Sequence, residues 1–258
     1  MKTVIRYVLL TASRDWLFLG LFIANFSAIA LSAFLGNTAI AEEQAMTISY
    51  IAGSVRTVMV VGLILFVCFH VRRAFDHKEI ELMLSRPLSR TQFMLSYWLG
   101  FIAIALAAFI PIFAVICAIG LTFAQTQVQP IALIYWGASI AAEVAVMVGC
   151  ALLSSLILRS AVSSVMFCFG FYILSRMMGF FIAASYSTHN LAAGLMDKAM
   201  EFILLGISIA LPRLDLFGKS EWLLYGIDKA ADTWIYQSII YIPLLLAVAV
   251  TDFRRKQF

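Results

Sequence analysis

Three ionisable side chains stand inside long apolar runs of this chain: Arg56, Glu143 and Arg176. A charged group at the centre of a bilayer costs about 2.5–3.5 kcal/mol on insertion scales, so it faces protein or water and marks a candidate site. Glu143 falls near the middle of its run and Arg176 in the outer half of the next one, at similar depth. That placement predicts a Glu143–Arg176 pair, with charged ends no more than about 6 Å apart. Arg56 sits nearer the end of its run and is expected to snorkel outward.

Other candidates for chemistry are sparse. The four cysteines, Cys68, Cys117, Cys150 and Cys168, fall in four different runs without close spacing, and are read as small apolar packers. His70 and His77 flank a basic loop without metal-ligand spacing and are expected to tune surface charge; His189 is alone. No Ser/His/Asp arrangement, acid–base carboxylate pair or metal dyad is legible. The chain is therefore expected not to be catalytic and to hold no metal or cofactor of its own. Gly218-Lys219-Ser220 imitates the end of a phosphate-binding loop, but the first glycine of that motif would fall at Arg213.

The elements that carry these residues follow from composition. Of 258 residues, 63% are hydrophobic and only 12% charged, against roughly 25% charged in an ordinary soluble domain; mean hydropathy is +0.98. A soluble fold, a disordered chain and a disulfide scaffold are excluded. Six runs, at 16–35, 51–69, 97–124, 131–158, 162–184 and 234–251, are long enough or nearly so for the about 20 residues a membrane helix needs. They lack period-two alternation, so helices are expected and a barrel is not. The fold class is an all-α integral membrane protein with six transmembrane helices, and residues 1–258 form one transmembrane domain.

Six spans place both termini on one side of the membrane. With the termini in the cytoplasm, that side holds 12 Lys and Arg and the other only Lys198, Arg213, Lys219 and Lys229. The positive-inside rule assigns cytoplasmic termini. The net charge of +4 is a topology signal, and no nucleic-acid partner is expected. Residues 195–211 are too short and too interrupted for a span and end at Pro212, so 185–233 is read as an external segment with re-entrant or interfacial half-helices.

The loop between the second and third runs is the most patterned segment. In Asp76-His77-Lys78-Glu79-Ile80-Glu81-Leu82-Met83-Leu84-Ser85-Arg86-Pro87-Leu88-Ser89-Arg90, the residues Ile80, Met83 and Leu84 recur at helical spacing among charges. This predicts a short amphipathic helix along the inner membrane face. Pro87 ends it at Arg86, and Ser89 with Gln92 forms a capping box that starts the third span. A helix, a stiff elbow and a new helix transmit displacement with little slack.

The run from Glu79 to Arg90, leading through Phe93 to Leu99-Gly100, resembles the signature loop of ATP-binding-cassette (ABC) permeases of the type-2 export family. A second stretch, Leu211-Pro212-Arg213-Leu214-Asp215-Leu216-Phe217 followed by Trp222-Leu223 and Tyr225-Gly226, is similar to the segment before the last span in the branch that includes the permease of nitrous-oxide-reductase maturation. Members of the family often carry Gly where this chain has Ile80, which bears on where the loop helix starts. The resemblance implies that residues 70–95 form a coupling loop docking on a separate ABC ATPase subunit. Glu79, Glu81, Arg86 and Arg90 would make its polar contacts, with Leu84 and Pro87 shaping the helix. It implies an N-terminal elbow helix over 1–15, and an external segment in which Pro212, Asp215 and Phe217 are the marked positions. ATP and Mg would be bound by two copies of the partner ATPase, beneath two copies of this chain or one copy and a sister permease. The expected function is the permease subunit of an exporter in the inner membrane. The alternatives are a mechanotransmitter that drives an external partner protein without transport, and an integral membrane enzyme acting on lipids.

Overall fold

The computed structural model of the chain describes residues 2–38, 42–80, 89–122, 129–189, 202, 206–207, 211–227 and 232–255. The elements in order are α1 (Lys2–Ala12), α2 (Trp16–Gly36), α3 (Glu43–Asp76), α4 (Arg90–Thr122), α5 (Pro130–Ile157) and α6 (Ala161–His189). A 3₁₀ turn at Leu214–Leu216, α7 (Glu221–Tyr225) and α8 (Thr233–Arg255) follow. Six of these, α2 to α6 and α8, are long and apolar enough to cross a membrane. The molecule is an all-α, multi-span membrane protein, with one helix on each of the six predicted runs.

Two spans form the centre and the rest surround them. In its most apolar stretch α5 is 72% buried and α3 61%, whereas α2, α6 and α8 are 22%, 28% and 17% buried. The outer helices present Ile23, Phe26, Phe34, Met166, Phe167, Phe180, Ile239 and Leu244 outward, as a lipid-facing wall does. At 34 residues α3 is longest; at 1.5 Å per residue it spans about 51 Å, so it projects beyond the ~30 Å hydrocarbon layer. That projection carries basic residues at one end and Thr47 and Ile48, both buried, at the other.

Small residues set the closest approaches. Where α2 ends, a methyl on Gly36 would lie 1.9 Å from Thr47 Oγ1 of α3, so only glycine lets the two helices meet there. Farther along the same seam Ser32 and Ser54 share a hydrogen bond of 2.9 Å. Helix α1 is separate from α2 and lies against α4. Val4, Val8 and Ala12, four apart, are its buried face, and Gly100 of α4 makes room for Val8. The α1–α2 corner is fixed by Asp15, whose carboxylate accepts from Leu17 N at 3.0 Å as the N-cap of α2.

The patterned loop is entered and left by sharp corners. Helix α3 stops at Asp76 and Lys78 adopts a left-handed conformation, φ 56°; residues 79–80 are helical again. At the exit, Gln92 N donates to Ser89 Oγ at 3.2 Å and α4 begins at Arg90, the N-cap that the sequence predicts. The body of the expected coupling helix, with Glu81, Leu84, Arg86 and Pro87, lies outside the described residues, as does most of 190–210, where a re-entrant element is expected.

Candidate functional site

Two clusters, at opposite ends of the bundle, hold the marked residues. At the end carrying α1 and the close of α8, both flanks of the loop are tied to neighbouring elements. The Tyr7 hydroxyl of α1 donates to Glu79 Oε2. Burial, together with the Glu79 carboxylate, pushes the Tyr7 phenol up to about 12. Ile80 beside it is 3% exposed. Arg73, at the end of α3, pairs with Asp15 at 3.0 Å, so one carboxylate both caps α2 and holds α3. On the exit side Arg90 Nη1 donates to the carbonyls of Arg254 at 3.1 Å and Phe253 at 3.4 Å, the last turn of α8. Glu79 and Arg90 thus make contacts inside this chain.

At the far end the intramembrane charges converge. Glu143 of α5 is fully buried. Its Oε1 lies 3.9 Å from Arg176 Nη1 of α6 and its Oε2 3.7 Å from Arg56 Nε of α3. The Glu143–Arg176 separation is inside the range expected of a pair. Arg56, expected to snorkel, does not: it is 8% exposed. The reason is tertiary, because residues 211–218 fold back over the end of α3 and offer their carbonyls. Arg56 Nη1 donates to Gly218 O at 2.6 Å and Phe217 O at 3.1 Å. Arg176 Nη1 donates to Leu214 O at 2.5 Å and again to Phe217 O at 3.1 Å. One carboxylate between two guanidiniums leaves an excess positive charge, and these oriented carbonyl dipoles offset it.

Local sequence explains why the segment fits there. Gly218 has φ 52°, and a methyl on it would lie 3.0 Å from Arg56 Cδ and from Ile140, so both conformation and space require glycine. Its N–H donates to Ser139 Oγ at 2.7 Å. The Gly-Lys-Ser imitation of a phosphate loop therefore has its glycine N–H engaged on α5. Pro212 and Phe217 are buried, and Asp215 pairs with Arg213 at 2.9 Å while packing on α6 at Gly179. Arg213 N donates to Gln237 Oε1 of α8 at 2.9 Å. Trp222 of α7 is buried against Tyr135 of α5, with ring centroids 5.3 Å apart. The three positions marked in the sequence, Pro212, Asp215 and Phe217, lie in one segment fastened to four spans.

Sequence reasoning passed over Ser139, Tyr172, Tyr7 and Gln237. Ser139 precedes Glu143 by four residues, and Tyr172, which faces the same carboxylate, precedes Arg176 by four. Their common helix face was readable from spacing. Nothing local announces Tyr7 or Gln237.

One reading is extended and one is corrected. Cys68, Cys150 and Cys168 come close to one another, and Ser154 Oγ is 3.1 Å from the Cys168 sulfur. Three spans meet there, which separation in sequence hides. All three thiols are free and buried. Among the described residues, no group of three or more His, Cys, Asp and Glu could hold a metal ion. His70 is not a surface group either. It is 3% exposed, with the rings of Phe66, Tyr97 and Phe101 5.4–6.4 Å away, because α3 stays helical to Asp76 and keeps its face with Val71 and Ala74 buried.

No protein-family model matches the chain, and no curated protein is significantly similar to it.

Proposed function

We propose that this chain is the membrane-spanning permease subunit of an ABC exporter, with its termini and the 77–90 loop in the cytoplasm. The observation that carries the proposal is the clamping of that loop at both ends. On one side it is tied to α1 through Tyr7 and Glu79, next to the Arg73–Asp15 pair; on the other it is tied to α8 through Arg90. A push on such a loop is passed to four elements, α1, α3, α4 and α8. That is the mechanical requirement for coupling a separate motor to a helix bundle. The amphipathic spacing of Ile80, Met83 and Leu84 and the resemblance of 79–90 to type-2 export permeases add support.

In this reading two copies of an ABC ATPase bind ATP and Mg beneath two permease chains, and closure of the ATPases pushes the loops. Because homo-oligomers are mostly two-fold, the second permease is another copy of this chain. The chain itself is not catalytic, and the cargo is moved or extracted at the inner membrane. A second reading, force transmission to an external protein, is favoured by the fastening of 211–218 to α3, α5, α6 and α8. A segment so held moves when those spans tilt.

Co-purification tests the proposal. Pulled from its native membrane in mild detergent, the tagged chain is expected to bring down a P-loop ATPase in equal amount. Recovery of the chain without any such partner, with lipid-processing activity in the isolated chain, would overturn it.

A further inference from the structure

Helices α2 and α3 touch closely toward one end of their seam and part toward the other. On the far side Gly36 meets Thr47, and Ser32 bonds to Ser54. Toward the terminal end the pair encloses a groove of about 430 Å³, running from Ala24 and Thr57 to Trp16 and Leu65. Two glycines open it: Gly20 has nothing within 4 Å of where a methyl would stand, and the Leu21 side chain lies over Gly62. The lining is aliphatic apart from Trp16 and Thr57, and the Thr57 hydroxyl is spent on Gly53 O at 2.9 Å.

Size, depth and charge select the occupant. Trp16 and Ala24 are about 12 Å apart along α2 at 1.5 Å per residue, so a groove of 430 Å³ is roughly 6 Å across. A membrane helix, about 10–12 Å in diameter with its side chains, does not fit; an extended hydrocarbon chain does. The groove stays within one leaflet, about 15 Å deep in a hydrocarbon layer of ~30 Å. At its mouth Trp16 is 84% exposed, an indole where membrane proteins place their interfacial aromatic belt. Arg14 precedes it by two residues, exposed and in no ion pair among the described residues. Arg72, seven residues beyond Leu65, is on the same face of α3. Arg72 is paired with Asp76 and Arg73 with Asp15, so with Arg14 one positive charge is left over at the mouth.

We infer that this groove binds one acyl chain of an anionic phospholipid from the leaflet on the side of the termini, with its phosphate drawn to Arg14 and the Arg72–Arg73 turn. Basic side chains at a membrane surface attract anionic headgroups in this way. The seated chain fills the gap between the terminal halves of α2 and α3, beside the corner that Asp15 fixes through Leu17 and Arg73. The site needs no ATPase partner and is independent of the exporter reading.

Native mass spectrometry of the full chain, released from detergent after incubation with equal amounts of phosphatidylglycerol and phosphatidylcholine, tests the site. The natural chain is expected to retain one phosphatidylglycerol per copy under activation that strips phosphatidylcholine. Gly20→Leu fills the groove from a position with open space around it. It should cut that retention at least about tenfold, since each buried methylene contributes a factor of about four. Ala24→Leu blocks the same groove one turn deeper and should do the same if Gly20→Leu does not fold. Arg14→Ala should lower the preference for phosphatidylglycerol about fivefold. Equal retention of the two lipids by the natural chain, or unchanged retention in a folded groove variant, would overturn the assignment, as would an unchanged preference in Arg14→Ala. A groove variant that keeps its phosphatidylglycerol but loses a dimer seen in the natural chain would give the groove to a second copy and overturn it too.

Discussion

The two ends of the bundle are fastened in opposite ways. At the terminal end the ties among the described residues lie nearer the surface and include the Tyr7–Glu79 hydrogen bond, the Arg73–Asp15 pair with Arg73 half exposed, and Arg90 on two carbonyls. At the far end the ties are buried and shared, with two arginines, one carboxylate, one serine and four backbone groups in one cluster. Exposed pairs contribute little, about 0–1 kcal/mol. Removing one partner of a buried charge cluster costs about 3–5 kcal/mol. Under the proposed function, the difference suits a molecule that takes an input at the end where its ties are exposed. At the other end it holds a segment firmly until the spans move.

Substitutions separate the two ends by size of effect. The largest loss is expected from Arg56→Ala, which takes one of two guanidiniums from the buried Glu143 carboxylate and the donor from Gly218 O. Thermal unfolding in detergent should show a loss of about 3–5 kcal/mol, and a loss under 1 kcal/mol would place Arg56 outside the cluster. Gly218→Ala comes next, forcing a side chain into the left-handed region against Arg56 and Ile140. About 1–3 kcal/mol is expected by the same measurement.

Smaller effects belong to the terminal end. Tyr7→Phe should cost about 0.5–1.5 kcal/mol at neutral pH. Its pH dependence carries a sign. The Tyr7 phenol is raised from 10.0 to about 12 in the folded protein, so the stability tied to its proton is complete below pH 10. That stability is lost as pH rises through 12. Ultraviolet titration of phenolate should show one fewer tyrosine ionising near pH 12 in Tyr7→Phe than in the natural chain. If the missing tyrosine titrates near 10, the Glu79 contact is not formed in solution. Asp15→Asn is expected to change least, under about 1 kcal/mol at low salt and less at high salt.

How far the sequence carried is clear from particular elements. Each span was legible because twenty apolar residues in a row have one stable solution in a bilayer. The observed α3 exceeds its predicted run because Thr47 packs on Gly36 of α2 and Ile48 is buried beside Ile116 and Leu133, and the basic turn at Arg72–Arg73 stays helical. Hydropathy registers neither. The match in depth of Glu143 and Arg176 was readable from run length alone. Arg56 was misread because its acceptors come from residues more than 160 positions away. The three meeting thiols were hidden likewise, since α3, α5 and α6 become neighbours only through packing. Depth along a span is written locally; which spans face each other is not.

The most direct test of the central claim is ATP turnover by the purified assembly carrying Glu79→Arg and Glu81→Arg together, with Tyr7→Phe as the companion that removes only the internal tie of Glu79. If the loop is where a motor grips this chain, the double variant should lose partner binding or cargo-stimulated hydrolysis while Tyr7→Phe retains most of both. Normal hydrolysis and full partner recovery in the double variant would contradict the account.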